Sequence, residues 1–152
     1  MKLSTKYGGD VTINPENIIH FPSGIPGFET EKEFVLMEMS NIGTVVFQVL
    51  QSVSTPALAF IVIDPYVLTN TYEFRLDDAI IERIKLDGKE DVSVRALVTV
   101  KSPFEESTLN LKAPIIINQR KKIGKQFIIE NDTYATKTPL SSFVQSETKG
   151  DS

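Results

Sequence analysis

Apolar and polar residues alternate with a two-residue period along much of this chain. In DVSVRALVTV, residues 91 to 100, Val92, Val94, Ala96, Val98 and Val100 fall on one face and Ser93, Arg95 and Thr99 on the other. That is the pattern of a strand with one side buried. TVVFQVLQ, residues 44 to 51, repeats it with Val45, Phe47 and Val49 together. LAFIVI, residues 58 to 63, is continuously apolar, which predicts a strand covered on both faces. NIIHF, EFVLMEM, PIIIN and QFIIE are further strand candidates, and NIGT, LDGKED and ENDTY place turn residues between them. Short strands spaced by turns predict an all-β fold, a small barrel-like arrangement of antiparallel sheets.

One segment breaks the period. LDDAIIERIKLDG predicts a short α-helix near residues 77–86. Asp77 is placed as its N-cap, Leu76 and Ile81 as a hydrophobic staple, and Lys85 near the negative end of the dipole, with Gly88 to close it. Ile80, Ile81 and Ile84 form the stripe expected to be buried. No repeat or linker divides the chain, so residues 1–144 read as a single domain, and the polar residues 145–152 as a solvated tail.

Composition narrows the chemistry. The 152 residues contain no cysteine, which removes disulfides, thiolate nucleophiles and thiolate metal sites and agrees with a reducing compartment. No apolar run is long enough to span a bilayer and no secretory h-region follows Met1, so a soluble cytoplasmic protein without membrane contact is expected. Net charge is −4, and its distribution is uneven: residues 1–76 hold 8 acids against 4 bases, residues 77–152 hold 12 of each. An acidic first half favours basic partners over direct contact with nucleic acid.

Candidate catalytic groups are sparse. His20 is the only histidine, so any histidine-activated nucleophile would depend on it, and its flanking residues Ile19 and Phe21 point to the opposite face. Asp64, Glu73, Asp77 and Asp78 lie close in sequence and could supply paired carboxylates for a small glycosidase, but solvated acids and a helix cap explain the same residues. RKKIGK, residues 120–125, is the one basic cluster. It could grip phosphates, which keeps a single-stranded-RNA-binding barrel open as an alternative, or be a solvated turn whose lysines protect a sheet edge. No cofactor signature is present, and the sequon Asn131-Asp132-Thr133 reads as a turn.

FPSGIPGFE, residues 21 to 29, packs two prolines, two glycines and three large apolar residues into nine positions. This is neither an ordinary polar loop nor an element interior. Phe28 is expected either to turn inward and plug one end of the barrel or to stand with Ile25 and Pro26 on a stiff loop that docks a partner. Tyr66, in DPY at 64–66, has the same two options: exposed anchor or edge of the core.

Three stretches taken together resemble the family of the flagellar assembly factor FliW: IHFPSGIPGFE (19–29), LQSVSTPALAFIVIDP (50–65) and NLKAPIIIN (110–118), followed by GKQFII and YATKTPL. The resemblance runs from about residue 18 to 140. It implies a non-enzymatic β-barrel-like protein without cofactors that binds flagellin before export and CsrA, a dimeric RNA-binding translational repressor. In that family FliW antagonises CsrA so that flagellin mRNA is translated, and new flagellin captures FliW and frees CsrA. The candidate partner-binding residues on the matching stretches are Ile25, Pro26, Gly27, Phe28, Glu29, Glu31, Asp64, Pro65, Tyr66, Asn110, Pro114 and Asn118. The acids Glu29, Glu31, Glu33 and Glu38 are the first place to look for electrostatic contact with a basic partner.

Overall fold

A computed structural model describes residues 1–39 and 46–143. The NIGT turn, the start of TVVFQVLQ including Val45, and the expected tail at 145–152 lie outside these residues. The main sheet contains β3 (Ile19–His20), β4 (Glu33–Glu38), β5 (Gln48–Ser52), β6 (Ala59–Ile63), β7 (Val92–Thr99), β8 (Thr108–Asn118), β9 (Ile123–Gln126) and β10 (Thr138–Pro139). Its strands run in the order β10-β8-β7-β6-β5-β4-β3-β9, and β9 pairs again with β8. Seven strands therefore close into a barrel, with β10 added outside on β8. Closure removes the open edges that would otherwise invite aggregation. All pairings are antiparallel except the bridge between His20 and Ile123. A separate hairpin of β1 (Lys2–Thr5) and β2 (Gly9–Thr12) turns through Gly9 in the left-handed region, φ +65°.

The apolar period sorts side chains between barrel interior and outer pads. Phe21, Phe34, Leu50, Val62, Ile115 and Ile117 fill the interior. Ile63, Val94, Ala96, Leu111 and Ile116 face outward from β6, β7 and β8 and are covered by Tyr72, Ile80, Ile84, Ile129 and Leu140. LAFIVI is thus covered on both sides, Phe60 and Val62 inward and Ile61 and Ile63 outward. A smaller pad, Leu3, Ile18 and Val35, lies under the hairpin.

Three local expectations change. NIIHF yields only a two-residue strand, because Phe21 leaves the sheet to enter the core. The strand near QFIIE is earlier, Ile123–Gln126, although the Phe127 and Ile129 N–H groups still donate to the carbonyls of Pro114 and Lys112. The helix, α1, is Asp78–Arg83, shorter than expected. Asp77 caps it as read, its carboxylate accepting from the Ile80 N–H at 2.9 Å. Its terminator is Lys85 at φ +58°, whereas Gly88 is extended at φ −168°. Leu86 N–H donates to Ile81 C=O and Lys85 N–H to Glu82 C=O, the paired bonds that close a helix with a left-handed residue. The lysine backbone is held there from outside: Asn118 Nδ2 donates to the Ile84 and Lys85 carbonyls at 2.9 and 3.0 Å.

Candidate functional site

The loop between β3 and β4 is built by its prolines and glycines. Phe28 N–H donates to Ile25 C=O at 2.6 Å across Pro26-Gly27, with Gly27 at φ +87°. Pro then Gly at the two central positions is the requirement of a type II turn. At Gly24, φ +66°, an added Cβ would lie 2.6 Å from the Glu29 backbone, so the loop folds back on itself where only glycine fits. Inside, Phe21 is fully buried, and an added Cβ on Gly124 would come within 2.6 Å of its ring. Ile25 is 2% exposed.

The three apolar side chains therefore divide. Phe21 and Ile25 plug the barrel, while Phe28, 41% exposed, rests edge-on against Phe60 with ring centroids 5.5 Å apart. The expectation of an inward Phe28 is replaced because Phe21 and Ile25 already fill that space. Ile25 offers no side chain to a partner, whereas Pro26, Gly27, Phe28 and Glu29 are exposed.

The two acids of this loop have different jobs. Glu29 Oε2 accepts from Gly27 N–H at 3.0 Å, and this bond, with its own backbone N–H, holds its carboxyl below the usual range. Glu31 accepts from the Ser52 hydroxyl at 2.5 Å, Thr55 at 2.8 Å and Ser54 at 3.4 Å. The Ser52 and Thr55 bonds do most to depress its pKa. Glu31 thereby ties this loop to the one after β5, which Gln51 organises from within. Gln51 is fully buried: its Nε2 donates to the carbonyls of Ser52, Pro56 and Leu58, and its Oε1 accepts from Lys6 N–H. Gln51 sits in an apolar alternation, and that misplaced polar residue in VLQS is the signal sequence reading passed over.

The DPY stretch lies elsewhere. Asp64 accepts from Tyr66 N–H at 2.9 Å and caps a short 3-10 turn begun by the buried Pro65. Its carboxylate is 4.0 Å from Arg95. Tyr66, 46% exposed, leans on Tyr72 at 5.8 Å, and burial of its ring, then the Asp64 charge, raises its hydroxyl pKa. Tyr72 is buried and donates to Leu111 C=O at 2.6 Å. No hydrogen bond or ring contact among the described residues joins Tyr66 to the Phe28 loop.

Asn110, Pro114 and Asn118 serve the barrel wall. β7 and β8 lose register between Arg95/Ile115 and Leu97/Asn110. Asn110 Oδ1 accepts from the N–H groups of Lys112 and Ala113 and holds this bulge, and Pro114, which lacks an N–H, sits within it. Asn118, fully buried, adds to its helix-end bonds two more at Oδ1, from Arg120 and Lys121 N–H.

Two of the four cations of the basic turn are paired among the described residues. Arg120 pairs with Asp87 and Asp91, and Lys121 with Asp87 at 3.1 Å. Lys121 and Arg120 hold the Asp87 carboxyl down, and Arg120 that of Asp91. The acids considered for catalysis do not assemble: Asp64 and Asp77 spend their side chains on backbone caps. His20 is exposed, 3.7 Å from Glu33. Among the described residues no three His, Asp or Glu side chains gather as a metal site would need. What the surface does offer is the Phe28 end and, beside α1, an apolar cleft of about 640 Å³ that includes Tyr66.

A sequence model described as "FliW protein" matches residues 2–140. The chain is 47% identical over 140 residues to the flagellar assembly factor FliW of Geobacillus kaustophilus, covering 92% of this chain and 95% of that protein. It is 44% identical over 140 residues to the Bacillus subtilis flagellar assembly factor FliW, covering 92% and 96%. A crystal structure of the flagellar assembly factor FliW matches with a TM-score of 0.84 at 46% identity, over 92% of this chain and 96% of that one. Agreement in sequence and in fold extends over the loop, the bulge and the closing strands together, and this chain belongs to the FliW family of flagellar assembly factors.

Proposed function

We propose that this flagellar assembly factor acts without chemistry of its own, by docking in the cytoplasm on two proteins: flagellin before export and the translational repressor CsrA. Bound to CsrA it relieves repression of flagellin translation; accumulating flagellin captures it and returns CsrA to the message. The observation that carries this reading is electrostatic. Next to the exposed Phe28, and along β4, Glu29, Glu33 and Glu38 form no ion pair with Lys or Arg among the described residues.

RNA binding leans on phosphates meeting Lys and Arg. An unneutralised acidic face seated beside a basic RNA surface repels those phosphates. Direct competition is unnecessary: a tenfold loss of RNA affinity requires only about 1.4 kcal/mol of coupling, and RNA must then weaken docking by the same factor. The alternative of direct single-stranded RNA binding loses two of the four cations of the 120–125 cluster, Arg120 and Lys121, to Asp87 and Asp91, while Lys122 and Lys125 make no ion pair among the described residues.

The test is a titration of labelled RNA bound to CsrA. Addition of this protein should release the RNA, and addition of flagellin monomer should restore the complex. RNA that stays bound throughout, with every component folded, would refute the regulatory role.

A further inference from the structure

The Phe28 turn is shaped by its own residues, but its base is tied to a distant part of the chain. Gln51, on β5, pairs in register with Val35, which lies in the small apolar pad under the β1–β2 hairpin. An amide side chain has one accepting end and one donating end. Four carbonyls crowd one of them: Nε2 lies 3.1 Å from the Ser52 and Pro56 C=O, 3.2 Å from that of Leu58 and 3.5 Å from that of Thr55. Oε1 therefore faces the other way, where its donor is the Lys6 N–H in the hairpin turn, at 2.9 Å. No other hydrogen bond joins residues 1–13 to the barrel among the described residues. The rest of the hairpin's attachment is the pad of Leu3, Ile18 and Val35 with Val11, Ile13, Met37 and Val53 around it.

We infer that Gln51 is a positioning residue for the Phe28 loop, and that the seating of the β1–β2 hairpin sets how firmly that loop is held. The links are continuous: Lys6 N–H to Gln51 Oε1, Gln51 Nε2 to Ser52 C=O, the Ser52 hydroxyl to the Glu31 carboxylate, and Glu31 N–H to Phe28 C=O at 3.0 Å. With the hairpin seated, both ends of the fully buried amide are satisfied and residues 52–58 wrap around it. With the hairpin lifted, Oε1 has no donor, and a buried acceptor without a partner favours turning the amide out to water. The 52–58 carbonyls then lose their donor, Ser52 and Thr55 lose their aim at Glu31, and Phe28 stands on a looser base. A looser base must be ordered again when a partner docks, which weakens docking. The inference rests on the reading of the Phe28 end as a docking surface and gives that surface a control. By linkage, a partner seated on Phe28 holds the hairpin down to the same extent.

The test loosens the hairpin from its far side. Leu3→Ala thins the pad without altering Gln51, Glu31 or the barrel interior. Hydrogen exchange in the free protein should quicken at Glu31 and at residues 52–58 by about fivefold more than in β7, whose amides report global opening. Dissociation of the complex with CsrA should quicken by a similar factor. In Glu31→Ala, where the link is already cut, adding Leu3→Ala should change dissociation little further. If Leu3→Ala fails to fold, Val11→Ala, its register partner on the facing strand, serves with a smaller effect. Exchange at Glu31 that only follows β7, CsrA dissociation unchanged despite quickened exchange, or independent effects of Leu3→Ala and Glu31→Ala would each overturn the assignment. Exchange at Glu31 that only follows β7 with RNA release intact in the titration above removes the positioning role alone. Quickened exchange in a protein that forms no CsrA complex there removes the docking reading instead.

Discussion

The Phe28 end and the cleft beside α1 both leave large apolar side chains part exposed, but they are held by different means. At the Phe28 end, neighbours in sequence do the work: a Pro-Gly turn, a left-handed Gly24 folded against Glu29, and Phe21 and Ile25 driven inward. The cleft is assembled from remote pieces. Asn118 grips the end of α1 across 33 and 34 positions, and Arg120 ties Asp87 and Asp91 from β8's far turn. Local construction makes a stiff presenting loop, and remote construction makes a wall whose shape depends on the whole barrel.

The largest effect should come from removing the plug. Phe21→Ala deletes a fully buried ring that meets Phe34 edge-on at 5.3 Å, and a loss of about 4 kcal/mol is expected by urea unfolding. Gly124→Ala attacks the same seam from the other side, pushing a methyl into that ring, at a cost of about 2 kcal/mol. A loss below about 1 kcal/mol for Phe21→Ala would mean that the loop is not anchored by its own interior residue.

Next in size is Asn118→Ala, which strands the buried Ile84 carbonyl and leaves Lys85 C=O with only the Lys121 ammonium as a side-chain donor. About 2 kcal/mol should be lost, and amide exchange should accelerate in residues 84–91 while the Phe28 loop keeps its protection. Equal acceleration at both places would erase the distinction between them.

This contrast also decides what the sequence revealed. Strands with a clean period, β7 above all, the N-cap Asp77 and the Pro-Gly turn are legible because the cause lies within a few residues of the effect. The helix end was misplaced onto Gly88 because Lys85 adopts its left-handed backbone with help from Asn118, which no local rule anticipates. Asn110, Pro114 and Asn118 stood out as candidate contacts, yet Asn110 and Asn118 spend their side chains on a bulge and a helix end. Unusual residues in a strand mark a structural need as readily as a binding one. The cleft is not legible apart from Tyr66, since its lining comes from residues 74–76, α1, the following turn and β7.

A smaller effect on stability should separate folding from docking. Phe28 is already 41% exposed, so Phe28→Ala should cost at most about 1 kcal/mol, while partner dissociation quickens because a half-buried aromatic at the centre of a contact is the kind of anchor that dominates binding. Glu29→Lys should instead slow association several-fold at low salt and lose that effect at high salt. An association rate indifferent to Glu29→Lys would remove this acid from the mechanism; an unchanged dissociation rate in Phe28→Ala would move the contact elsewhere.

The mildest perturbation, added acid, discriminates between the two regions through their carboxylates. Glu31 is held below its ordinary value of 4.5 by the Ser52 and Thr55 hydroxyls. A carboxyl with a depressed folded pKa stabilises the fold above its unfolded value, and that contribution is lost as pH falls through the folded one. Stability should therefore be level above about pH 5 and decline below 4.5, where the unfolded chain takes up the proton first. Glu31→Gln should lower stability at neutral pH and flatten that decline, with the loops after β3 and β5 losing protection together. Asp87 and Asp91 titrate in the same direction through Lys121 and Arg120, so Asp87→Asn should flatten part of the same decline while loosening only the cleft. If Glu31→Gln leaves the acid slope unchanged, Glu31 takes up its proton alike in the folded and unfolded chain, and the Ser52 and Thr55 hydroxyls do not favour its charged form.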